Sequence, residues 1–341
     1  MKKAAFIISL IAILVLSTFA IAENARIGQI KFDTPIGQSG ENPRLILLDN
    51  TLYHFSRRDG RILSWKIGED AMTAFSSLPQ IPVESVVMEY KDMGAEKRAE
   101  MDRIVTHVLV GDGKLWALNQ YSGKFGQINQ DGIDYAYTLD LTDLNPELNH
   151  DEDYRFPGFV SDGYLYLFSV MRKEMFFARY NLTTGERQNV ALEYNLGAVY
   201  PDGDGHALCL VNIETEQSNG GYAERIYTLD LVTGEIIPLK IDLPNEADEN
   251  TTIYIKGVYH VHSGEDLYCF VESGGGASSD NKLLVFDKNG SLKTSIILPQ
   301  PDNGFYYLCQ PIDTRRIIAI DAFGANVLDV TNQVKQLTEA W

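Results

Sequence analysis

Apolar positions in this chain fall in short runs, too brief for stable helices and rich in residues that suit a pleated sheet. The clearest stretch is Phe159 to Leu192, FVSDGYLYLFSVMRKEMFFARYNLTTGERQNVAL. Asp162-Gly163 lies between two apolar runs, where a hairpin turn needs positive φ and Gly supplies it without a Cβ clash. Tyr164 to Phe168 follows as a second strand, apolar on both faces and so covered on both. Phe176 to Tyr180 is a third strand, Thr183-Thr184-Gly185-Glu186 a second turn, and Gln188 to Leu192 a fourth strand. A four-stranded unit covered on both faces predicts stacking of like units about an axis, which removes exposed sheet edges.

Variants of this unit recur. The first turn reads as Asp49-Asn50, Gly111-Asp112-Gly113, Asp162-Gly163, Asp202-Gly203-Asp204-Gly205, Ser263-Gly264-Glu265 and Asp313-Thr314. The second reads as Asp131-Gly132, Thr184-Gly185, Thr233-Gly234 and Asn289-Gly290, with Gly68-Glu69-Asp70 as a weaker fifth. The last unit offers only Phe305–Leu308, Ile317–Ile320 and Val327–Val330, one strand short, while Ile27–Phe32 is an orphan strand ahead of the first unit. The pattern predicts an all-β, six-bladed β-propeller of four-stranded antiparallel blades, closed by the N-terminal strand completing the last blade. Seven blades is the alternative count.

The chain opens as a secretory signal: Lys2-Lys3, an apolar core from Ala4 to Leu16, and Ala20-Ile21-Ala22 as cleavage site. Residues 1–22 are read as the signal peptide and 23–341 as a single propeller domain, secreted or in the cell envelope. No later stretch is long and apolar enough to span a bilayer. The leader carries two Lys and no acid, so its removal takes the formal charge from −18 to −20. That sign disfavours nucleic acid and anionic membrane surfaces. It leaves cationic partners, metal ions and neutral sugars open, beside a merely solvated acidic surface. Three Cys cannot all pair within one chain; Cys209, Cys269 and Cys309 are read as buried free thiols.

The turns Tyr180–Glu186 (YNLTTGE) and Leu229–Glu235 (LDLVTGE) resemble those of quinoprotein-like and TolB-like repeats, and the chain resembles bacterial secreted six-bladed propellers over nearly all of its mature length. Only Trp65, Trp116 and Trp341 are present, which departs from the tryptophan-rich quinoprotein blade and puts a quinone cofactor in doubt. The resemblance implies that turns between strands one and two, and three and four, share one face. Loops between strands two and three, and between blades, share the other. The second set holds the insertions: Ser77–Arg103, Leu141–Pro157, Glu214–Glu224, Asp242–Thr252 and Ser273–Asn281. Within the first of them, Ala95–Arg103 reads as a short charged helix or a loop.

That loop-rich face is acidic. Asp143, Asp151, Glu152, Asp153 and Tyr154 fall in one insertion and Glu246, Asp248 and Glu249 in another; these eight are the candidate ligand-binding residues. No cofactor is called for; calcium is the one ion the oxygen donors Asp151–Asp153 and Glu246–Asn250 could take. His260 and His262 alternate on one strand with no third ligand for zinc. His150 lies beside Asp151 and could act as a base, and Tyr154, Phe156, Tyr306 and Tyr307 flank blade links as a sugar-stacking platform or as packing. No G-x-S-x-G elbow, H-E-x-x-H or P-loop is present, and no catalytic residue is assigned. The reading is a monomeric, non-catalytic binding or interaction module for an extracellular protein or polysaccharide. Two alternatives stand: a metal-assisted extracellular hydrolase or lyase, and a structural component of an envelope complex.

Overall fold

The computed structural model describes residues 26–32, 44–56, 61–77, 94–101, 104–141, 144, 158–169, 175–194, 196–214, 222–241, 252–261, 266–274, 280–298 and 306–330. These are almost entirely strand. The short helix α1 (Ala95–Met101) is the exception, starting on a bond from the Arg98 N–H to the Gly94 carbonyl, 2.9 Å. Among the described residues no helix is long and apolar enough to cross a membrane.

Among the described residues the strands form four-stranded antiparallel sets gathered into five sheets. They divide into two compact units. Residues 37–239 hold the first four sets. These are β2 (Arg44–Leu48), β3 (Thr51–Ser56), β4 (Arg61–Lys66) and β5 (Thr73–Ser77); β6 (His107–Gly111), β7 (Lys114–Leu118), β8 (Lys124–Asn129) and β9 (Gly132–Thr138); β10 (Gly158–Ser161), β11 (Tyr164–Phe168), β12 (Phe176–Asn181) and β13 (Arg187–Ala191); and β14 (Leu196–Gly203), β15 (His206–Glu214), β16 (Tyr222–Asp230) and β17 (Ile236–Pro238). Each set is an up-and-down meander. The second and third join into one eight-stranded sheet through a single parallel pairing, Val160 with Gly111.

The other unit, residues 1–36 with 240–341, holds β18 (Thr252–His260), β19 (Leu267–Gly274), β20 (Asp280–Phe286) and β21 (Leu292–Ile297), and then β22 (Leu308–Pro311), β23 (Arg316–Ile320) and β24 (Gly324–Asp329). The strand missing from this last set comes from the other end of the chain. β1 (Arg26–Lys31) pairs antiparallel with β24, Gln29 opposite Asn326 and Lys31 opposite Gly324, giving the order β1-β24-β23-β22.

Within each unit both faces of the strands are apolar where consecutive sets pack on one another. Ile62 and Phe55 meet Val108 and Ala117. Leu109 and Phe125 meet Leu165 and Ala178. Phe159 and Phe177 meet Cys209 and Leu229. In the other unit Phe270 and Leu283 meet Cys309 and Ile317. This face-to-face succession of four-stranded meanders is a propeller-like arrangement. The three cysteines are buried within it, none of them in a disulfide. Burial pushes the Cys209 thiol up to about 12 and raises that of Cys309.

Two strand boundaries differ from the sequence reading. Tyr306 and Tyr307 are not strand: β22 starts at Leu308, while Tyr306 is buried in the core and the Tyr307 N–H donates to the Ile320 carbonyl, 2.8 Å. β24 begins at Gly324 rather than Val327, because its pairing with β1 extends to Lys31.

Candidate functional site

A four-stranded meander has two unlike ends. The hairpin end carries the turns between strands one and two and between three and four. The loop end carries the connection between strands two and three and the link to the next set.

Hairpin ends here are closed by their own hydrogen bonds. Asp49, Asp112, Asp162 and Asp204 each adopt positive φ (53°, 49°, 53° and 50°) in the first turn of successive sets, a conformation that short polar Asp tolerates better than most residues. Second turns are held by a side-chain acceptor at their first residue. Asn181 Oδ1 accepts from the Thr183 and Thr184 N–H groups, Asp230 Oδ1 from Val232 and Thr233, and Asp287 Oδ1 from Asn289 and Ser291, all at 2.8–3.0 Å. First and second turns are tied together where the Ile67, Leu182 and Leu231 N–H groups donate to the carbonyls of Asn50, Gly163 and Gly205. Asp112 reaches further: its two carboxylate oxygens accept the N–H groups of Asp162 and Gly163, each at 2.9 Å, beside the Val160–Gly111 link.

Loop ends differ. Among the described residues, seven buried side-chain polar atoms on six residues take no hydrogen bond. Tyr135 Oη, Arg179 Nε and Asn326 Oδ1 lie in mid-strand. The others lie at loop ends: Ser76 Oγ near the end of β5, Gln120 Oε1 just past β7, and both Asn281 amide atoms at the start of β20.

The densest polar group sits at the loop end of the β6–β9 set, where Thr106, His107, Asn119 and Gln120 are all buried. Thr106 Oγ1 donates to the Leu118 carbonyl, 2.8 Å, and accepts the Gln120 N–H, 2.9 Å. Its proton being committed, Thr106 accepts from His107 Nδ1 at 2.8 Å, which places a proton on that nitrogen. Asn119 Nδ2 donates to the Ile104 carbonyl, and Asn119 Oδ1 accepts from the Tyr121 and Ser122 N–H groups. Three of the four side chains are thus saturated or held. The Gln120 carboxamide makes no hydrogen bond among the described residues.

The eight residues singled out from the sequence, Asp143, Asp151, Glu152, Asp153, Tyr154, Glu246, Asp248 and Glu249, lie outside the described residues, as do His150, Phe156 and His262. The root of the first acidic insertion is described: Leu141 and Leu144 are buried against Leu118 and Leu165, with the Leu144 N–H donating to the Leu141 carbonyl at 3.0 Å. Tyr306 is core and does not form a stacking platform. His260 is half-buried in β18, and burial lowers the pKa of His54 in β3. Among the described residues no three His, Cys, Asp or Glu side chains converge as metal ligands. Sequence reading passed over Thr106, Asn119 and Gln120. The one available signal was a polar pair, Asn119-Gln120, ending the apolar run Leu115–Leu118 without a Gly.

No protein family matches the chain, and no curated protein matches it. Among solved structures it is similar to a luciferin-regenerating enzyme, at 9% identity and a TM-score of 0.46, over 89% of this chain and 94% of that one. It is also similar to a chain of a nidogen/laminin complex, at 11% identity and a TM-score of 0.40, over 81% of each.

Proposed function

We propose that this chain is a secreted, six-bladed β-propeller, its last blade completed by β1, that acts as a non-catalytic binding module for an extracellular polysaccharide or protein at its loop ends. The observation that carries the reading is the segregation of unmatched polar groups. An unpartnered buried polar atom costs about 1–3 kcal/mol, and of the six residues bearing such atoms three lie at loop ends and none at a hairpin end. The same ends carry the insertions with Asp143, Asp151, Glu152, Asp153, Tyr154, Glu246, Asp248 and Glu249. A rigid scaffold that keeps polar groups in reserve beside long acidic loops suits recognition of a polar or cationic ligand, with calcium as one candidate.

The test is a thermal melt of the chain in EDTA, then with calcium, then with soluble neutral polysaccharides. A ligand that binds only the folded state at about 100 times its dissociation constant adds about 2.7 kcal/mol. The expected outcome is a rise in melting temperature that shrinks on replacing Asp151 and Asp153 by Asn, and that persists on Asp131→Asn at a hairpin end. A rise equally sensitive to both changes, or none with any addition, overturns the reading.

A further inference from the structure

We propose that the corner formed by Thr106, His107, Asn119 and Gln120 is a hydroxyl-recognition site, in which the Gln120 carboxamide engages a neutral saccharide. The inference deepens the reading of loop ends as the ligand side and rests on it.

The corner is built rather than incidental. Thr106 Oγ1 uses its proton on the Leu118 carbonyl and accepts two N–H groups, from His107 Nδ1 and the Gln120 backbone. Asn119 is committed at both ends of its amide, to the Ile104 carbonyl on one side and the Tyr121 and Ser122 N–H groups on the other. The backbone of Gln120 is therefore pinned while its side chain is left over. Gln120 is 6% exposed, its Oε1 is sealed from solvent, and its carboxamide makes no hydrogen bond among the described residues.

Two consequences follow from elementary chemistry. First, turning the Gln120 side chain toward a ligand breaks no hydrogen bond, because there is none to break, and an incoming hydroxyl supplies the partner that the buried carbonyl lacks. Second, a carboxamide offers an acceptor and two donors on one planar group, a match for neighbouring hydroxyls that each donate and accept. The corner's side chains are Thr, His, Asn and Gln, with Tyr121 half-buried next in the chain. No carboxylate or ammonium stands among them. The paired acceptor and donors of a carboxamide match an uncharged polyol better than a cation.

The experiment is titration calorimetry of the full chain with malto-, cello-, xylo- and chito-oligosaccharides, repeated with Gln120→Met. A glycoprotein before and after enzymatic deglycosylation separates a protein-borne glycan from a free polysaccharide. Binding of a neutral oligosaccharide is expected, weakened about tenfold or more by Gln120→Met, with the melting temperature of the unliganded variant equal to or above that of the parent. Saccharide binding that Gln120→Met changes by less than about twofold overturns the inference. If Asp151 and Asp153 replacement still weakens that binding, the broader loop-end reading stands. Absence of binding across the panel overturns the inference too, leaving the broader reading to its own melts with calcium. Displacement of the sugar by methylammonium chloride would mark a cation site and also overturn it. Should Gln120→Met not fold, Gln120→Glu and the side-chain amide resonance of Gln120 in the parent, followed during titration, give the same decision.

Discussion

Hairpin ends and loop ends of the same sheets treat polar groups in opposite ways. At a hairpin end the chain must reverse within a few residues, so each turn needs a local acceptor. Asn181, Asp230 and Asp287 supply it from a side chain next to the backbone it serves. At the loop ends the short β7–β8 and β23–β24 connections use the same device, through Asn119 and Asp321. Beside them, however, Ser76, Gln120 and Asn281 bury polar atoms without return. Side chains that satisfy their own turn are confined to it. Those without partners lower stability and are available to something else, the usual relation between strain and function.

Substitutions at the two ends should therefore shift stability in opposite directions. The largest effect is expected at Gly111. A Cβ there would stand 1.6 Å from the Val160 carbonyl oxygen and 2.4 Å from its carbon, both backbone atoms that cannot rotate away. Gly111→Ala must part β6 from β10, losing their parallel pairing and pulling Asp112 off the Asp162 and Gly163 N–H groups. We expect a loss of about 3–5 kcal/mol, in the upper tail for single substitutions, read from the urea midpoint. A loss below about 1 kcal/mol would mean that the two halves of the eight-stranded sheet do not depend on this link.

At a loop end the sign should reverse. Asn281 is 3% exposed, both of its amide atoms lack partners, and it stands opposite Glu272, whose carboxylate is taken by Lys256 at 3.0 Å. Leu has the same number of side-chain heavy atoms and no polar group. Asn281→Leu is expected to stabilise the chain by about 1–3 kcal/mol, the desolvation penalty it removes. Destabilisation by a similar amount in the same urea titration would show that Asn281 is satisfied in solution and that the contrast between the ends fails there.

Hairpin ends were legible in the sequence because their chemistry is local. An Asp-Gly pair between apolar runs calls for positive φ, and Asp112, Asp162 and Asp204 adopt it, while at Asp131-Gly132 and Asp202-Gly203 the Gly alone does. The orphan strand's place beside β24 was legible because the last set was one strand short and an unpaired edge needs cover. Strand limits were less so. An aromatic run such as Phe305–Leu308 reads as a strand from its composition, although β22 starts only at Leu308 and Tyr306 is core ahead of it. Gln120 was illegible for a further reason. Its significance lies in a hydrogen bond not made, and that depends on where Thr106 and Asn119, distinct in sequence, already spend their own.

The smallest expected effect concerns acid, and it separates the hairpin ends from the strands. The Thr233 and Val232 N–H groups hold the Asp230 carboxylate below the ordinary value of 3.8, and Ser291 and Asn289 do the same for Asp287. In the unfolded chain these groups protonate first, so their contribution is complete above about pH 4 and is lost as the pH falls through the lowered folded values. His54 acts in the same sense at a higher window: burial depresses its pKa from 6.5, so its contribution is complete above that pH and fades below it. Stability measured against pH should thus decline in two steps. Replacing Asp230 and Asp287 by Asn keeps an acceptor oxygen in each turn but removes the titration, and should flatten the lower step alone. Loss of the upper step in that variant would mean that the turns and β3 unfold as one titrating unit, and the hairpin ends would then not be the self-contained devices their hydrogen bonds describe.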